Sequence, residues 1–102
     1  MTNVTETTPI VLSAAHFEPL AGEVFAIAGG ERRLTLRKIE TSGQAGDGFR
    51  APFTLIFDGP AGDVLPEGFY IVMAKSGASF GLHIMPVHTP ARDRQDYQAA
   101  FN

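Results

Sequence analysis

A chain of 102 residues has room for one domain, which buries roughly two-thirds of the surface its unfolded form exposes; at 44% hydrophobic and 19% charged, its composition is globular and not that of a disordered tail. Eight Lys and Arg against eleven Asp and Glu leave a net charge of −3, which argues against nucleic acid as a partner. The absence of cysteine removes disulfides, thiolate catalysis and cysteine-based zinc sites.

Residues 1–9, with four Thr, Asn3 and Pro9, have little to bury and predict a flexible arm ahead of a single β domain over 10–102. The arm has neither a basic region nor a long apolar run, so the expectation is no signal peptide and a cytoplasmic protein. No apolar run approaches the roughly 18 residues of a membrane-spanning helix. Residues 13–22 predict one or two helical turns closed by Gly22. Pro19 fits only a first turn, so the piece starts near His16 or is of 3₁₀ type. Phe17 and Leu20, three apart, share a face and plug one end of a sheet.

Residues 23–28 and 31–40 flank Gly29 and Gly30 and read as a hairpin, with Phe25 and Ile27 turned inward. Leu34 and Leu36 share one parity and Ile39 takes the other, which calls for a bulge or bend near Arg37 or Lys38. Residues 41–48 are glycine-rich and polar, an exposed loop. Two apolar runs, 53–57 and 69–73, enclose a segment crowded with Gly59, Pro60, Gly62, Pro66 and Gly68. They read as a hairpin with a wide loop. Both strands are apolar on both sides, so this hairpin is expected to be the doubly covered centre of the domain, with Leu55 and Ile71 in its core. Residues 75–78 form another turn. Phe80, Leu82 and Ile84 then alternate with Gly81, His83 and Met85 until Pro86 marks an edge or a strand end. After a polar connection, Tyr97, Ala99 and Phe101 alternate, which favours a last strand over 95–102, although Gln98, Ala99 and Ala100 would also suit a helix. The expected fold is mostly β, a small antiparallel barrel or sandwich of six to seven strands with one short N-terminal helical turn.

The candidate sites are each weighed against a bland reading. Residues 77–81 match the G-x-S-x-G pattern around Ser79, but alternating strand residues follow where that motif needs a helix, and His83 and His88 precede Asp93 and Asp96 in the wrong order. A β-turn is expected. His16, His83 and His88 suffice in number for a metal site, yet His83 and His88, five apart, fall on opposite faces of a straight strand. Asp58 and Asp63 share one loop without the dense alternating ligands of a calcium loop. The segment from Gly43 to Gly48 lacks the Gly-Lys-Ser/Thr of a phosphate cradle. Arg32, Arg33, Arg37 and Lys38 form a basic cluster flanked by Glu31 and Glu40, which reads as a solvated strand face. No catalytic, cofactor-binding or metal residue is therefore assigned.

Phe17-Glu-Pro-Leu20, Phe53-x-Leu-x-Phe57-x-Gly-Pro60, Leu65-Pro-x-Gly-x-Tyr70, Met85-Pro86 and Tyr97-Gln-Ala-x-Phe-Asn102 together resemble a family of small bacterial domains of unknown function. The likeness runs from about His16 to Asn102, with Glu67 standing where the family often has Gln or Arg. It brings no catalytic residues to carry over. Relatives accompany phage-tail-collar or microcystin-dependent-type proteins, so the resemblance implies an accessory or assembly role in a phage-tail-like structure. The expected function is a non-enzymatic module acting through a protein partner or self-association, without cofactor, nucleic acid or membrane, on the strength of edge-capable strands and abundant aromatics. The rival is a small-molecule-binding or enzymatic β-barrel, in whose mouth His83, Tyr70 or Arg50 would converge.

Overall fold

A computed structural model of the chain describes residues 12–41 and 52–101. The expected arm at 1–9, the segment from Gly43 to Gly48, and Arg50 lie outside the described residues. A short helix α1 (Ala14–Phe17) runs into a 3₁₀ turn (Glu18–Leu20) with Pro19 in its first positions, as the proline required. Six strands follow: β1 (Val24–Ile27), β2 (Arg33–Thr41), β3 (Phe53–Gly59), β4 (Gly68–Met73), β5 (Ser79–Pro86) and β6 (Gln95–Phe101). All neighbouring pairs are antiparallel, and the order β1-β2-β3-β6-β5-β4 closes on itself as a barrel.

The chain therefore makes two three-stranded meanders, and the second folds back so that β6 meets β3 and β4 meets β1. This corrects the expected central hairpin. β3 pairs with β2 and β6, while β4 pairs with β1 and β5, so the two apolar runs are not partners at all. The segment between them, 60–67, crosses one end of the barrel and turns Leu65 into it, leaving that side chain 2% exposed. Closure also corrects the expectation of edge-capable strands, since every strand has a neighbour on each side.

Alternation decides what fills the interior. Phe25 and Ile27, Leu34 and Leu36, Phe53, Leu55 and Phe57, Val72, Leu82 and Ile84, and Tyr97 and Ala99 all point inward and are buried. The parity change in β2 is resolved as expected: the register steps from Leu36↔Phe57 to Lys38↔Ile56, so Arg37 is an extra residue and Ile39 swings back to pack on the core. The turn between β1 and β2 is wider than a Gly29-Gly30 pair, closing where the Ile27 N–H donates to the Arg32 carbonyl at 3.0 Å. The β4–β5 turn closes tightly, with the Gly77 N–H on the Ala74 carbonyl and Gly77 at φ 97°, the left-handed bulge position of a three-residue hairpin. Pro86 ends β5, and 95–101 is a strand, both as expected.

β5 and β6 pair at Met85↔Gln98 and Pro86↔Tyr97, the Val87 N–H continues the seam to the Asp96 carbonyl, and in the other direction, toward Ser79 and Phe101, the strands part. Phe17 fills the wedge. Its ring lies 4.7 Å from Phe80, 5.9 Å from Phe53 and 6.0 Å from Phe101, and Phe53 stacks on Phe101 at 4.5 Å. Leu20 packs behind it, so the plug expected of the 3₁₀ turn is present.

β3 and β4 differ on their outer faces. Thr54 and Ile56 are half-buried, but Phe69, Ile71 and Met73 are exposed at 68%, 43% and 40%. Ile71 is thus not a core residue, because the outer face of β4 has no layer over it. Chemical denaturation is expected to show a loss of about 2 to 5 kcal/mol for Leu55→Ala, which empties a fully buried site, and less than about 1 kcal/mol for Ile71→Ala, which does not. Similar losses for the two would mean that the outer face of β4 is covered.

Candidate functional site

Two regions of the barrel carry side chains in arrangements that packing alone does not require. The first is the end crossed by 60–67. There Arg32, in the turn before β2, reaches Asp63 in a two-pronged bond, Nε to Oδ2 at 3.0 Å and Nη2 to Oδ1 at 2.8 Å. Beneath it the Tyr97 hydroxyl accepts the Leu65 N–H at 2.8 Å and lies 3.4 Å from the Asp63 carbonyl, to which it donates. A cavity of about 330 Å³ lies between the turn and the crossing segment, with Tyr97, Leu65 and Leu34 deep in it and Glu31, Arg33 and Pro60 toward solvent. The bond from Arg32 holds the Asp63 carboxyl below its ordinary value, and the same bond holds the guanidinium above its own. The pair is a clasp between two loops, and each partner uses the other's charge.

The second region is the outer wall, which divides sharply in character. Across β2, β3 and β6, Asp58 sits directly opposite Asp96. Like charges at such a position repel, and two arginines answer them: Arg37 lies 3.9 Å from Asp58 and 3.4 Å from Asp96, and Arg94 Nε donates to Asp96 at 2.8 Å. The bond to Asp96 holds the Arg94 guanidinium above its ordinary value. Lys38 pairs with Glu40 at 2.9 Å on the same wall. Across β1 and β4 the wall is apolar instead, bordered by Ser79, Gly81 and His83 of β5. Val24 of β1 is 39% exposed beside the Phe69, Ile71 and Met73 row, with Ala26 paired to Met73. Phe69 leans over Gly81 of β5, with its Cζ against the place where a Cβ of residue 81 would stand. A side chain at position 81 would push the ring aside.

The residues singled out in the sequence do not converge. Ser79 is the exposed first residue of β5, opposite Met73, with a strand and not a helix after it. His16 caps α1, its Nδ1 accepting the Ser13 N–H at 3.0 Å. His83 points outward from β5, 2.9 Å from Glu67, and His88 is exposed in the connection that Thr89 and Gln95 tie to β6. Among the described residues no three His, Cys, Asp or Glu side chains group as metal ligands. Asp58 and Asp63 go to different partners, Arg37 and Arg32, so their loop is not one carboxylate site. The basic cluster is likewise divided: Arg32 clasps the crossing segment and Arg37 bridges two aspartates. Tyr70 faces inward and donates its hydroxyl to the Pro66 carbonyl at 2.6 Å, away from His83, so the two do not form a common mouth. The sequence reading missed the Arg32–Asp63 clasp and the Tyr97–Leu65 bond, which join residues more than thirty positions apart and leave no local signal.

No helix among the described residues is long and apolar enough to cross a membrane. The model of one family, described as Domain of unknown function (DUF6916), matches residues 12–101. A family of unknown function is what the resemblance implied. No curated protein and no solved structure matches the chain.

Replacing Tyr97 by Phe keeps the ring and deletes the hydroxyl, leaving the buried Leu65 N–H without its acceptor. Denaturant melts are expected to show a loss of about 1 to 3 kcal/mol; an unchanged midpoint would mean that the bond contributes nothing. The clasp makes a separate prediction for acid. Asp63 has a depressed folded-state value, so its contribution is present above the unfolded value and lost as pH falls through the folded one. Wild type should therefore exceed Asp63→Asn in stability at neutral pH, and the two melting curves should converge below the ordinary aspartate value of 3.8. A gap that persists in strong acid would assign it to something other than the Asp63 charge.

Proposed function

We propose that this chain, which belongs to the DUF6916 family, is a non-enzymatic β-barrel module that works by protein–protein contact through the outer face of β4. One observation carries the reading: Phe69, Ile71 and Met73 form a continuous exposed row, flanked by Val24, on a wall whose other half is saturated with ion pairs. Contiguous apolar surface of this kind marks interaction sites on soluble domains. Barrel closure leaves side chains rather than a free strand edge to make the contact. In this reading no residue is catalytic and none holds a cofactor or metal. The resemblance adds a candidate setting, an accessory or assembly role in a phage-tail-like structure.

The small-molecule reading has less support. Leu36, Leu55, Val72, Leu82 and Ile84 fill the interior, and the 330 Å³ cavity at the crossed end has its arginine and aspartate already engaged with each other.

The test is capture of partners from the source organism with the tagged chain, followed by mass spectrometry. Wild type should retain a defined partner or a second copy of itself, and Ile71→Asp should lose it while keeping the wild-type melting temperature to within a few degrees. Equal recovery by the two proteins would remove the outer face of β4 as the contact surface.

A further inference from the structure

We infer that the occupant of this face is the same face of a second copy of the chain, with the two β4 strands antiparallel about a two-fold axis through Ile71. The inference rests on the protein-contact reading and specifies its partner. Such an axis matches residues equally distant from Ile71 in opposite directions. Ile71 then meets Ile71, and Phe69 of each copy meets Met73 of the other, twice. A thioether against an aromatic ring is a favourable contact. Gly81 matters here, since it leaves the space that the tip of the Phe69 ring occupies over β5, so the ring leans across the sheet.

Charge selects this arrangement over its alternatives. Lys75 and Arg33 line a groove of about 270 Å³ with Met73 and Val24, at one end of the row. Glu67 stands at the other end, beside Phe69 and bonded to His83. Lys75, in the turn after β4, and Glu67, in the bend before it, are each four residues from Ile71. The two-fold therefore lays each copy's lysine against the other's glutamate. A parallel arrangement would set Lys75 on Lys75 and Glu67 on Glu67. A face roughly 20 Å long and three strands wide covers on the order of 300 Å² per copy, less than half of a standard interface. The dimer is consequently concentration-dependent and not obligate.

The chain has no cysteine, so Ile71→Cys introduces a single thiol on the axis. A disulfide needs Cβ atoms about 4 Å apart, and residues at the axis come nearest to that separation. Mild oxidation is expected to link Ile71→Cys into a covalent dimer much faster than Val64→Cys, whose side chain is 48% exposed away from this face. In sedimentation equilibrium, Glu67→Lys and Lys75→Glu should each weaken the dimer about tenfold, since two exposed ion pairs become repulsions, and the double exchange should restore it. Equal cross-linking of the two cysteine variants, with wild type monomeric at all concentrations, would overturn the dimer. If in that case Ile71→Asp still loses a different captured protein, the contact face stands with another partner. If Ile71→Asp changes nothing in either experiment, both readings fall.

Discussion

Six antiparallel strands make a wall, but a wall is open at both ends, and this barrel depends on two side chains from outside its strands to close it. Phe17 comes from the short helix and seals the end where β5 and β6 part. Leu65 comes from the crossing segment and seals the other. A large apolar side chain taken wholly out of water contributes about 1.5 to 3 kcal/mol, yet the larger effect of each plug is on its neighbours. Without Phe17, the rings of Phe53, Phe80 and Phe101 would border a water-filled wedge. Without the Leu65 side chain, the crossing segment would have no apolar anchor inside the barrel, and the bond from its backbone N–H to the Tyr97 hydroxyl would lose its cover.

The polar side chains divide along the same geometry. At the crossed end, the Arg32–Asp63 clasp ties the outside of the loop while Tyr97 ties its inside, so one segment is held from two directions. On the wall of β2, β3 and β6, aspartates forced opposite each other by register are neutralised by arginines, one of which is the bulge residue Arg37. An exposed ion pair contributes little to stability. Its consequence here is that Arg37, Lys38, Arg94, Glu40, Asp58 and Asp96 are matched to one another on this half of the surface, and the apolar row on β4 stands out by contrast.

Much of the fold is legible in the sequence because it is local. The proline in the first turn of the 3₁₀ piece, the parity break at Arg37, the turn at Gly77 and the strand end at Pro86 are each written in a few adjacent residues. Strand partners are not local. The runs 53–57 and 69–73 look alike, apolar on both faces and separated by turn residues, and nothing in either says that it prefers β6 or β1 to the other. Period-two alternation also reports that a face is apolar without reporting that it is covered. Ile71 and Leu55 read the same, and only the layer count of the folded barrel separates them. For the same reason the candidate surface was hidden inside what looked like core, and the clasp at Arg32 within what looked like a solvated basic cluster.

The short seams have one further consequence, for motion. β1, β2, β3 and β6 form a four-stranded sheet, and along its β3–β6 junction every residue of β3 is paired. The β4–β5 hairpin is well paired within itself, but it joins that sheet through Ala26↔Met73, Ile27↔Val72 and the Ala28 N–H on the Ile71 carbonyl on one side, and through Met85↔Gln98, Pro86↔Tyr97 and the Val87 N–H on the Asp96 carbonyl on the other. Sub-global opening follows the fewest bonds, so the barrel is hinged like a box with a lid, and the hairpin is the lid. Its outer surface is the apolar row. Whatever docks there grips the least anchored panel of the molecule, and occupancy of the surface would be felt as tightening of the barrel itself.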